Sequence, residues 1–330
     1  MRHQKQEISP QQSQSHPYPR SSDTGTNSNL SSAIVETLEH RRFTEFCEAC
    51  RRYAYIGLCY GPPGVGKTLS ARGYSRWEKV KQSDRWGSGP TEDPLLDTVL
   101  YTPSVVNAPN TVQADIRRCR DTLRDLAKRP LRQEKDGELD GIRRRDDEHQ
   151  AKILCEYDWF SGPIPEPQPT YGQVAREYSE KELKISDPTT LILIDEADRL
   201  RLASLEQVRA IFDVGEIGVI LIGIPGLEKK LARYPQFYSR IGFVHEFRPL
   251  AATEVRELLD RRWAPPGFCL PQQPLDAETV AAIIRIAGGN FRLLNRLLTQ
   301  IERILEINAL QAVTKEAVEA ARESLVIGQT

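Results

Sequence analysis

The fold is decided by the stretch Gly61-Pro-Pro-Gly-Val-Gly-Lys-Thr68, which fits the phosphate-binding pattern G-x-x-x-x-G-K-[ST]. The apolar run Tyr55–Tyr60 before it predicts a buried strand, and we expect a helix to follow from Lys67 to about Val80. Glycines allow main-chain N–H groups to curl around phosphate oxygens, and the start of a helix favours an anion. The predicted nucleotide-binding residues are Gly61, Pro62, Pro63, Gly64, Val65, Gly66, Lys67, Thr68 and Leu69.

Four side chains have predicted chemical roles. We expect Lys67 to reach the β- and γ-phosphates of ATP and the Thr68 hydroxyl to bind Mg²⁺. The acidic pair Asp195-Glu196 follows the apolar strand Leu191–Ile194, at the end that opens on the ligand crevice of a parallel sheet. Asp195 is predicted to hold Mg²⁺ through water, and Glu196 to orient and deprotonate the attacking water. The second carboxylate favours hydrolysis of ATP over transfer to an acceptor.

Outward from these motifs, strands and helices alternate. Predicted strands at Thr98–Thr102 and Val219–Ile222 are interleaved with predicted helices at Thr111–Lys128 and near Ala203–Val214, and Pro130 is expected to end the first of these. This order indicates an α/β fold, a parallel sheet with helices on both faces. Beyond residue 252 the pattern predicts helices only, at Thr253–Arg262, Asp276–Ala287, Asn290–Ala309 and Thr314–Leu325.

The domain organisation follows from composition. Residues 1–32 are rich in Ser, Gln and Pro and are predicted to be a disordered tail. Residues 33–250 are predicted to form the nucleotide-binding α/β core, and residues 251–330 a small all-helical lid. Within the core, residues 130–188 are charged and Pro-rich and are interpreted as a surface insertion. A solvated excursion is the favoured interpretation, while partial packing and a partner-binding role stay open.

Composition excludes several classes of protein. The chain has 330 residues with a formal net charge of −1, so it is not a globally basic nucleic-acid coat protein. No apolar run is long enough to span a bilayer and no secretory signal is visible, which predicts a cytoplasmic protein without membrane contact. Cys47 and Cys50 form one C-x-x-C without a second pair, and we interpret them as small buried residues.

The chain resembles the AAA+ ATPases, P-loop NTPases, over about residues 33–326 apart from 130–188. GPPGVGKT at 61–68 and LILIDEADRL at 191–200 are similar to the Walker A and Walker B motifs. The resemblance implies that Arg240, within YPQFYSRIGF, is an arginine finger that reaches the nucleotide of a neighbouring subunit. It also implies that Arg292, within GGNFR, is a lid arginine that senses the nucleotide. ATP, Mg²⁺ and a homo-oligomer are therefore expected.

Among AAA+ proteins, the chain is similar to the DNA transposition regulators of the Tni B, Tns C and Mu B type. The similar segments include LIGIPGLEKKLARYPQFYSRIGFVHEFRPL at 221–250. This resemblance implies an ATPase that assembles on duplex DNA as a ring or filament and recruits or stimulates a transposase, with an adaptor protein as a further candidate partner. An origin-type loader, a signalling ATPase of a defence system, and a nucleotide-locked scaffold with vestigial hydrolysis are the alternatives. The loader would usually add a winged-helix domain, for which few residues follow Leu325.

One segment departs from the family pattern, and the roles of several charged residues stay open. The family usually ends the strand before the arginine finger with a polar residue, but this chain has Gly223-Ile224-Pro225 there, which predicts slow turnover. Asp198 is interpreted as a solvated residue of the turn after the acidic pair. The candidate DNA-binding residues are Arg117, Arg118, Arg120 and Arg124, with a solvated helix face paired with Asp115, Asp121 and Asp125 as the alternative. Lys229, Lys230 and Arg233 form a second candidate patch.

Overall fold

The computed structural model describes residues 36–86, 96–155, 170–261, 263 and 274–325, so the predicted tail at 1–32 lies outside the described residues. A five-stranded parallel sheet forms the centre of the α/β region, with the spatial order β2-β3-β4-β1-β5. The strands are β1 Ile56–Tyr60, β2 Thr98–Tyr101, β3 Leu191–Ile194, β4 Gly218–Gly223 and β5 Ile241–Glu246.

The burial of the strands confirms the predicted layers. Every residue of β2, β3 and β4 is buried. Because successive side chains of a strand point to opposite faces, complete burial means that both faces of the sheet are covered. The edge strand β5 differs, since half-buried and exposed residues alternate along it. The sequence pattern did not predict β5, because IGFVHE contains no continuous apolar run.

The helices cover this sheet and continue beyond it. They are α1 Leu38–Tyr53, α2 Lys67–Ser75, α3 Trp77–Trp86, α4 Pro109–Cys155, α5 Tyr171–Leu183, α6 Leu202–Gly215, α7 Leu227–Ala232, α8 Pro235–Tyr238, α9 Ala252–Asp260, α10 Ala277–Ala287, α11 Phe291–Ile307 and α12 Lys315–Glu323. The single helix predicted from Lys67 to Val80 is wrong, because Arg76 adopts a left-handed conformation with φ 50° and separates α2 from α3. Cys47 and Cys50 are free and buried on α1, which confirms the interpretation as small core residues.

The predicted helix end at Pro130 is wrong, because α4 continues through Pro130 to Cys155. A proline inside a helix removes one hydrogen bond and crowds the preceding turn. Packing offsets this cost, since α5 lies against the second half of α4 and the two helices share a small apolar cluster. The cluster consists of Leu139, Ile142, Val174 and Tyr178, with Leu131 packed against it. The charged region at 130–188 is therefore in part a packed helical pair, which the favoured interpretation as a solvated excursion did not predict.

The helical region at the carboxyl side has an apolar core of its own. Buried residues from α9 to α12, among them Val255, Ile283, Leu294, Leu298 and Val318, form one cluster. The four helices predicted beyond residue 252 are confirmed to within two residues at each end. In the described ranges, no helix is long and apolar enough to cross a membrane.

Candidate functional site

The loop between β1 and α2 has the geometry of an anion cradle. Gly64 and Gly66 have φ angles of 86° and 114°, which only glycine adopts without strain. The first N–H groups of α2 have no acceptor within the helix and lie at the loop. The buried Lys67 Nζ donates hydrogen bonds to Gly61 O at 2.7 Å and Pro62 O at 2.8 Å. The ammonium has three N–H groups, so one donor is left for a phosphate oxygen.

Charged side chains from two other parts of the chain act on Lys67. Burial lowers the pKa of Lys67 below its ordinary value, the charges of Asp195 and Asp198 raise it, and the charge of Arg292 lowers it. These interactions show that Lys67, the acidic segment after β3 and Arg292 lie near one another. The sequence motifs predicted this meeting for Lys67, Asp195 and Arg292, but not for Asp198.

The acidic pair sits at the carboxyl end of β3. Asp195 is buried, its main-chain N–H donates to Tyr101 O at 2.8 Å, and its Oδ1 accepts the Glu196 N–H at 3.0 Å. Glu196 has a left-handed conformation with φ 53°, and its carboxylate lies 2.5 Å from the Arg199 guanidinium. Such a backbone conformation costs about 1–2 kcal/mol and is often found at functional sites. The carboxylate predicted to activate water is therefore in an ion pair.

Asp198 is not the solvated residue that the sequence pattern indicated. It is half-buried, and its Oδ1 accepts the main-chain N–H of Ile224, just after β4, at 3.3 Å. The turn that carries Asp198 is held by Lys230 Nζ, which donates to Asp198 O at 3.0 Å and to Leu200 O at 2.6 Å. Lys230, a member of the second predicted basic patch, therefore points towards the acidic segment.

The lid contacts the phosphate loop through two hydrogen bonds. Asn290 Nδ2 donates to Pro63 O at 3.0 Å, and the main-chain N–H of Arg292 donates to Gly64 O at 2.9 Å. Asn290 Oδ1 also caps α11 by accepting the Leu293 N–H at 3.1 Å. Arg292 thus lies beside the loop, as predicted, while its role as a sensor stays a prediction. The sequence pattern named Asn290 only as the first residue of a predicted helix, and its partner Pro63 is 227 residues away.

The predicted arginine finger lies away from the phosphate loop of its own chain. The Arg240 carbonyl accepts the N–H of Ile56, at the amino end of β1, whereas the loop follows the carboxyl end. Those ends are roughly 13 Å apart at the usual rise of a strand. The Arg240 guanidinium donates to Asp213 Oδ1 at 2.6 Å and Oδ2 at 3.0 Å. This hydrogen bond holds the pKa of Asp213 below its ordinary value.

The four arginines proposed for DNA contact share α4 but differ in their partners. Three are in ion pairs: Arg118 with Asp115 at 3.2 Å, Arg120 with Asp187 at 2.7 Å, and Arg124 with Asp121 at 3.3 Å. Arg117 is exposed, and so is Arg118 despite its pair. Arg120 and its partner are each less than a third exposed, so this pair joins α4 to the segment before β3.

The residues predicted to bind Mg²⁺ fit that ion chemically. Thr68 offers a half-buried hydroxyl at the start of α2, and Asp195 a buried carboxylate. Mg²⁺ is usually held by one or two such protein oxygens together with phosphate oxygens of a substrate. In the part of the chain that the structure describes, no group of three or more His, Cys, Asp or Glu side chains could hold a metal ion by itself.

Comparisons with known proteins agree with this geometry. A family model described as the AAA domain matches residues 50–231. A "potential ATP-binding protein" of Staphylococcus aureus is 39% identical over 299 residues, which cover 89% of this chain and 97% of that protein. Cdc6p of Pyrobaculum aerophilum is 15% identical with a TM-score of 0.52, over 91% of this chain and 71% of that one. ORC1 of Aeropyrum pernix, solved in complex with DNA, is 19% identical with a TM-score of 0.47, over 89% and 68% of the two chains. At 15% identity the Cdc6p structure shows likeness of fold alone, and none of the four descriptions names transposition.

Proposed function

Because this chain belongs to the AAA domain family, we propose that it binds ATP with Mg²⁺ at the loop 61–68 and hydrolyses the nucleotide. The observation that supports this most directly is the meeting of charges at Lys67. A buried ammonium at the start of a helix lies near the carboxylate of Asp195 and the guanidinium of Arg292. A P-loop site needs this combination of a phosphate cradle and an acidic strand end. The name of the S. aureus relative is consistent with the same ligand.

Each residue of the proposed site has one task. The N–H groups of the loop and Lys67 bind the phosphates, and Arg292 stabilises the charge on the transferring group. Thr68 and Asp195 would hold Mg²⁺, which would supply positive charge next to the phosphates. Glu196 accepts the proton of the attacking water. The water oxygen bonds to the γ-phosphorus while the bond between the γ-phosphorus and the leaving oxygen of ADP breaks.

Two variants test the hydrolysis proposal. Lys67→Ala is expected to lose retention of labelled ATP, because the loop loses its only ammonium. Glu196→Gln is expected to retain ATP but to release phosphate at least about 100-fold more slowly, because the amide cannot accept the proton. Glu180→Gln, an exposed glutamate of α5, is the control and should match the wild type. Failure of the wild type to bind ATP with abundant Mg²⁺ would contradict the proposal.

A second candidate, a nucleotide-locked scaffold, is favoured by one observation. Glu196 is ion-paired with Arg199, so its carboxylate is not free to orient water while the pair is intact. In a scaffold, bound ATP would hold the assembly together without turnover. Equal and slow phosphate release by the wild type and Glu196→Gln, with tight ATP binding by both, would favour the scaffold over the ATPase.

We propose further that the chain assembles as a homo-oligomer on duplex DNA and regulates transposition by recruiting or stimulating a transposase. The support is the resemblance of residues 221–250 to transposition regulators and the exposure of Arg117 and Arg118 on α4. These two arginines would contact DNA phosphates, which gives affinity without sequence preference. An origin-type loader or a defence-system ATPase would share the ATP site but would not stimulate a transposase.

Salt dependence tests the DNA contact. The affinity of the ATP-bound protein for duplex DNA should fall as salt rises, with a log–log slope of about 0.9 for each phosphate contact. Replacing both Arg117 and Arg118 by Glu should weaken DNA binding and reduce the slope by the contribution of about two phosphate contacts. Arg143→Glu, at a similarly exposed arginine farther along α4, is the control. No detectable binding at low salt with ATP present would overturn the proposal.

A strand-transfer assay tests the transposition step. We expect an integrase-like transposase to be encoded next to this chain, and the ATP-bound protein to increase its insertion into target DNA. Glu196→Gln should still support target binding, because it retains ATP. DNA binding without any effect on that transposase would favour the loader or defence alternatives.

A further inference from the structure

The carboxyl end of β4 carries no polar side chain of its own, but one reaches it from the neighbouring strand. Gly223 ends β4, and Ile224 and Pro225 follow. Asp198, in the short turn after β3, places its carboxylate against this end and accepts the Ile224 N–H at 3.3 Å. Strands β3 and β4 are parallel neighbours, so the two ends lie at the same edge of the sheet.

The absence of a side chain at residue 223 makes room for this carboxylate. A Cβ at Gly223 would lie 3.0 Å from Asp198 Oδ1 and 2.7 Å from Leu227 Cδ2, both closer than ordinary contacts. The position of the Asp198 carboxylate therefore depends on glycine at 223, because a larger residue there would press on the carboxylate and on Leu227.

The main chain around Asp198 is fixed independently of its carboxylate. Lys230 Nζ binds the carbonyl oxygens of Asp198 and Leu200, and the turn closes with a hydrogen bond from Leu200 N to Ala197 O at 3.1 Å. Truncation of the Asp198 side chain would therefore leave the turn anchored by Lys230. The carboxylate is also close enough to Lys67 to act on its charge, as Asp195 is.

We propose that Asp198 is a positioning residue for ATP hydrolysis, supplying from β3 the polar group that the end of β4 lacks. This inference rests on the ATPase function proposed above. One carboxylate oxygen is held by the Ile224 N–H, and the other accepts a hydrogen bond from the water that Glu196 deprotonates. Glu196 takes the proton, and Asp198 only orients the water. Two acceptors fix the direction of a water better than one, which matters for in-line attack.

The test compares turnover with nucleotide affinity. Asp198→Ala is expected to lower kcat for ATP about 10- to 100-fold with little change in the affinity for labelled ATP or in Tm. Asp198→Asn is expected to stay slow as well, because its Oδ1 can accept the Ile224 N–H but its Nδ2 can only donate, so the water loses its second acceptor. Glu228→Ala is the matched control, since Glu228 Oε2 also accepts a main-chain N–H of the next loop, from Gly226 at 2.8 Å.

A second variant tests the same carboxylate by changing the residue that it packs against. Gly223→Ala is expected to reproduce the low kcat of Asp198→Ala, because the new Cβ presses on Asp198 Oδ1 as well as on the Leu227 side chain. Wild-type turnover by Asp198→Ala would overturn the inference while leaving the ATPase proposal intact. Equal losses of affinity and kcat, or a large fall in Tm, would show a structural role and also overturn it. A wild type without any hydrolysis would overturn both proposals.

Discussion

Among single residues, the pair formed by Glu196 and Arg199 makes a prediction that motif matching would not. The two side chains lie 2.5 Å apart, and an Arg199 guanidinium N–H also lies near the Pro103 carbonyl at 3.4 Å. The ion pair occupies a carboxylate oxygen that would otherwise be free to receive the proton of the attacking water. Arg199→Ala is therefore expected to increase the rate of phosphate release about 3- to 10-fold at saturating ATP.

The neighbouring Arg201 supplies the control for this prediction. Arg201 is exposed, and its contribution to the turn is a main-chain hydrogen bond to Asn107 Oδ1 at 3.4 Å, which alanine retains. Arg201→Ala should release phosphate at the wild-type rate. If Arg199→Ala is slower than both, the guanidinium assists Glu196 instead of restraining it.

The sequence predicted residues whose roles depend on local motifs and missed those whose roles depend on distant contacts. Lys67 and Asp195 follow strands within recognisable patterns, and the structure brings them close together. Asp198 gave a weak signal, because an aspartate in a turn is usually solvated, and its partner Ile224 is 26 residues away. Asn290 was predicted only as the start of a helix, since nothing nearby in sequence indicates its contact with Pro63.

Among the elements, the contact between the lid and the phosphate loop predicts the effect of one methyl group. A Cβ at Gly64 would overlap Asn290 Oδ1 and lie 3.1 Å from the Cβ of Arg292. Gly64→Ala should therefore separate the lid from the loop, in addition to straining a backbone with φ 86°. We expect the affinity for ATP to fall at least about 10-fold, about 1.4 kcal/mol, in equilibrium binding of labelled nucleotide.

Gly226 provides a comparison for the two effects of Gly64→Ala, the backbone strain and the overlap with Asn290. It has φ 104°, but a Cβ there would meet nothing within 4 Å, so Gly226→Ala introduces a similar strain without the overlap. This variant should keep its affinity for ATP. Adding Asn290→Ala to Gly64→Ala should recover part of the lost affinity by removing the overlap. If Asn290→Ala recovers none of the affinity lost in Gly64→Ala, the strain at residue 64 and not the overlap with Asn290 accounts for the loss.

The pair of helices α4 and α5 makes a prediction about local stability. Leu139 is 8% exposed within the small cluster that joins them, whereas Leu183 at the end of α5 is 85% exposed. Leu139→Ala should lower the free energy of local opening of the pair by about 2–4 kcal/mol, and Leu183→Ala should change it little. Hydrogen exchange of residues 171–183 measures this, with the central strands as an internal reference. Equal protection in the two variants would contradict the assigned packing.

The elements that the sequence missed have physical reasons in common. Edge strand β5 has one partner strand and alternates half-buried with exposed residues, so it lacks the apolar run that indicated β1, β3 and β4. Helix α4 continues through Pro130 because its packing with α5 outweighs the cost of a proline inside a helix. The local sequence shows the proline but not the packing. The buried strands and the lid helices were predictable, since their apolar periodicity and their capping residues agree.

For the whole molecule, the direction of the sheet separates two parts of the proposed active site. Lys67 and Glu196 follow the carboxyl ends of β1 and β3, whereas Arg240 lies at the amino end of β1. A parallel sheet keeps these ends apart in any one chain. If Arg240 takes part in hydrolysis, it must therefore act on the nucleotide of another subunit, and each subunit needs a neighbour for a complete site.

Mixing two inactive variants tests this requirement. Arg240→Ala keeps its own Glu196, and Glu196→Gln keeps its own Arg240, so each variant alone should bind ATP and release phosphate slowly. A mixed assembly contains interfaces in which an intact Arg240 faces an intact Glu196, and equimolar mixing should restore up to about one quarter of wild-type activity if subunits combine at random. The control is a mixture of Lys67→Ala and Glu196→Gln. Lys67 and Glu196 serve the nucleotide of their own chain, so every subunit in this mixture has a defective site and no interface is complete. Activity of the first mixture no higher than that of the control would mean that Arg240 only joins β5 to α6 through Asp213.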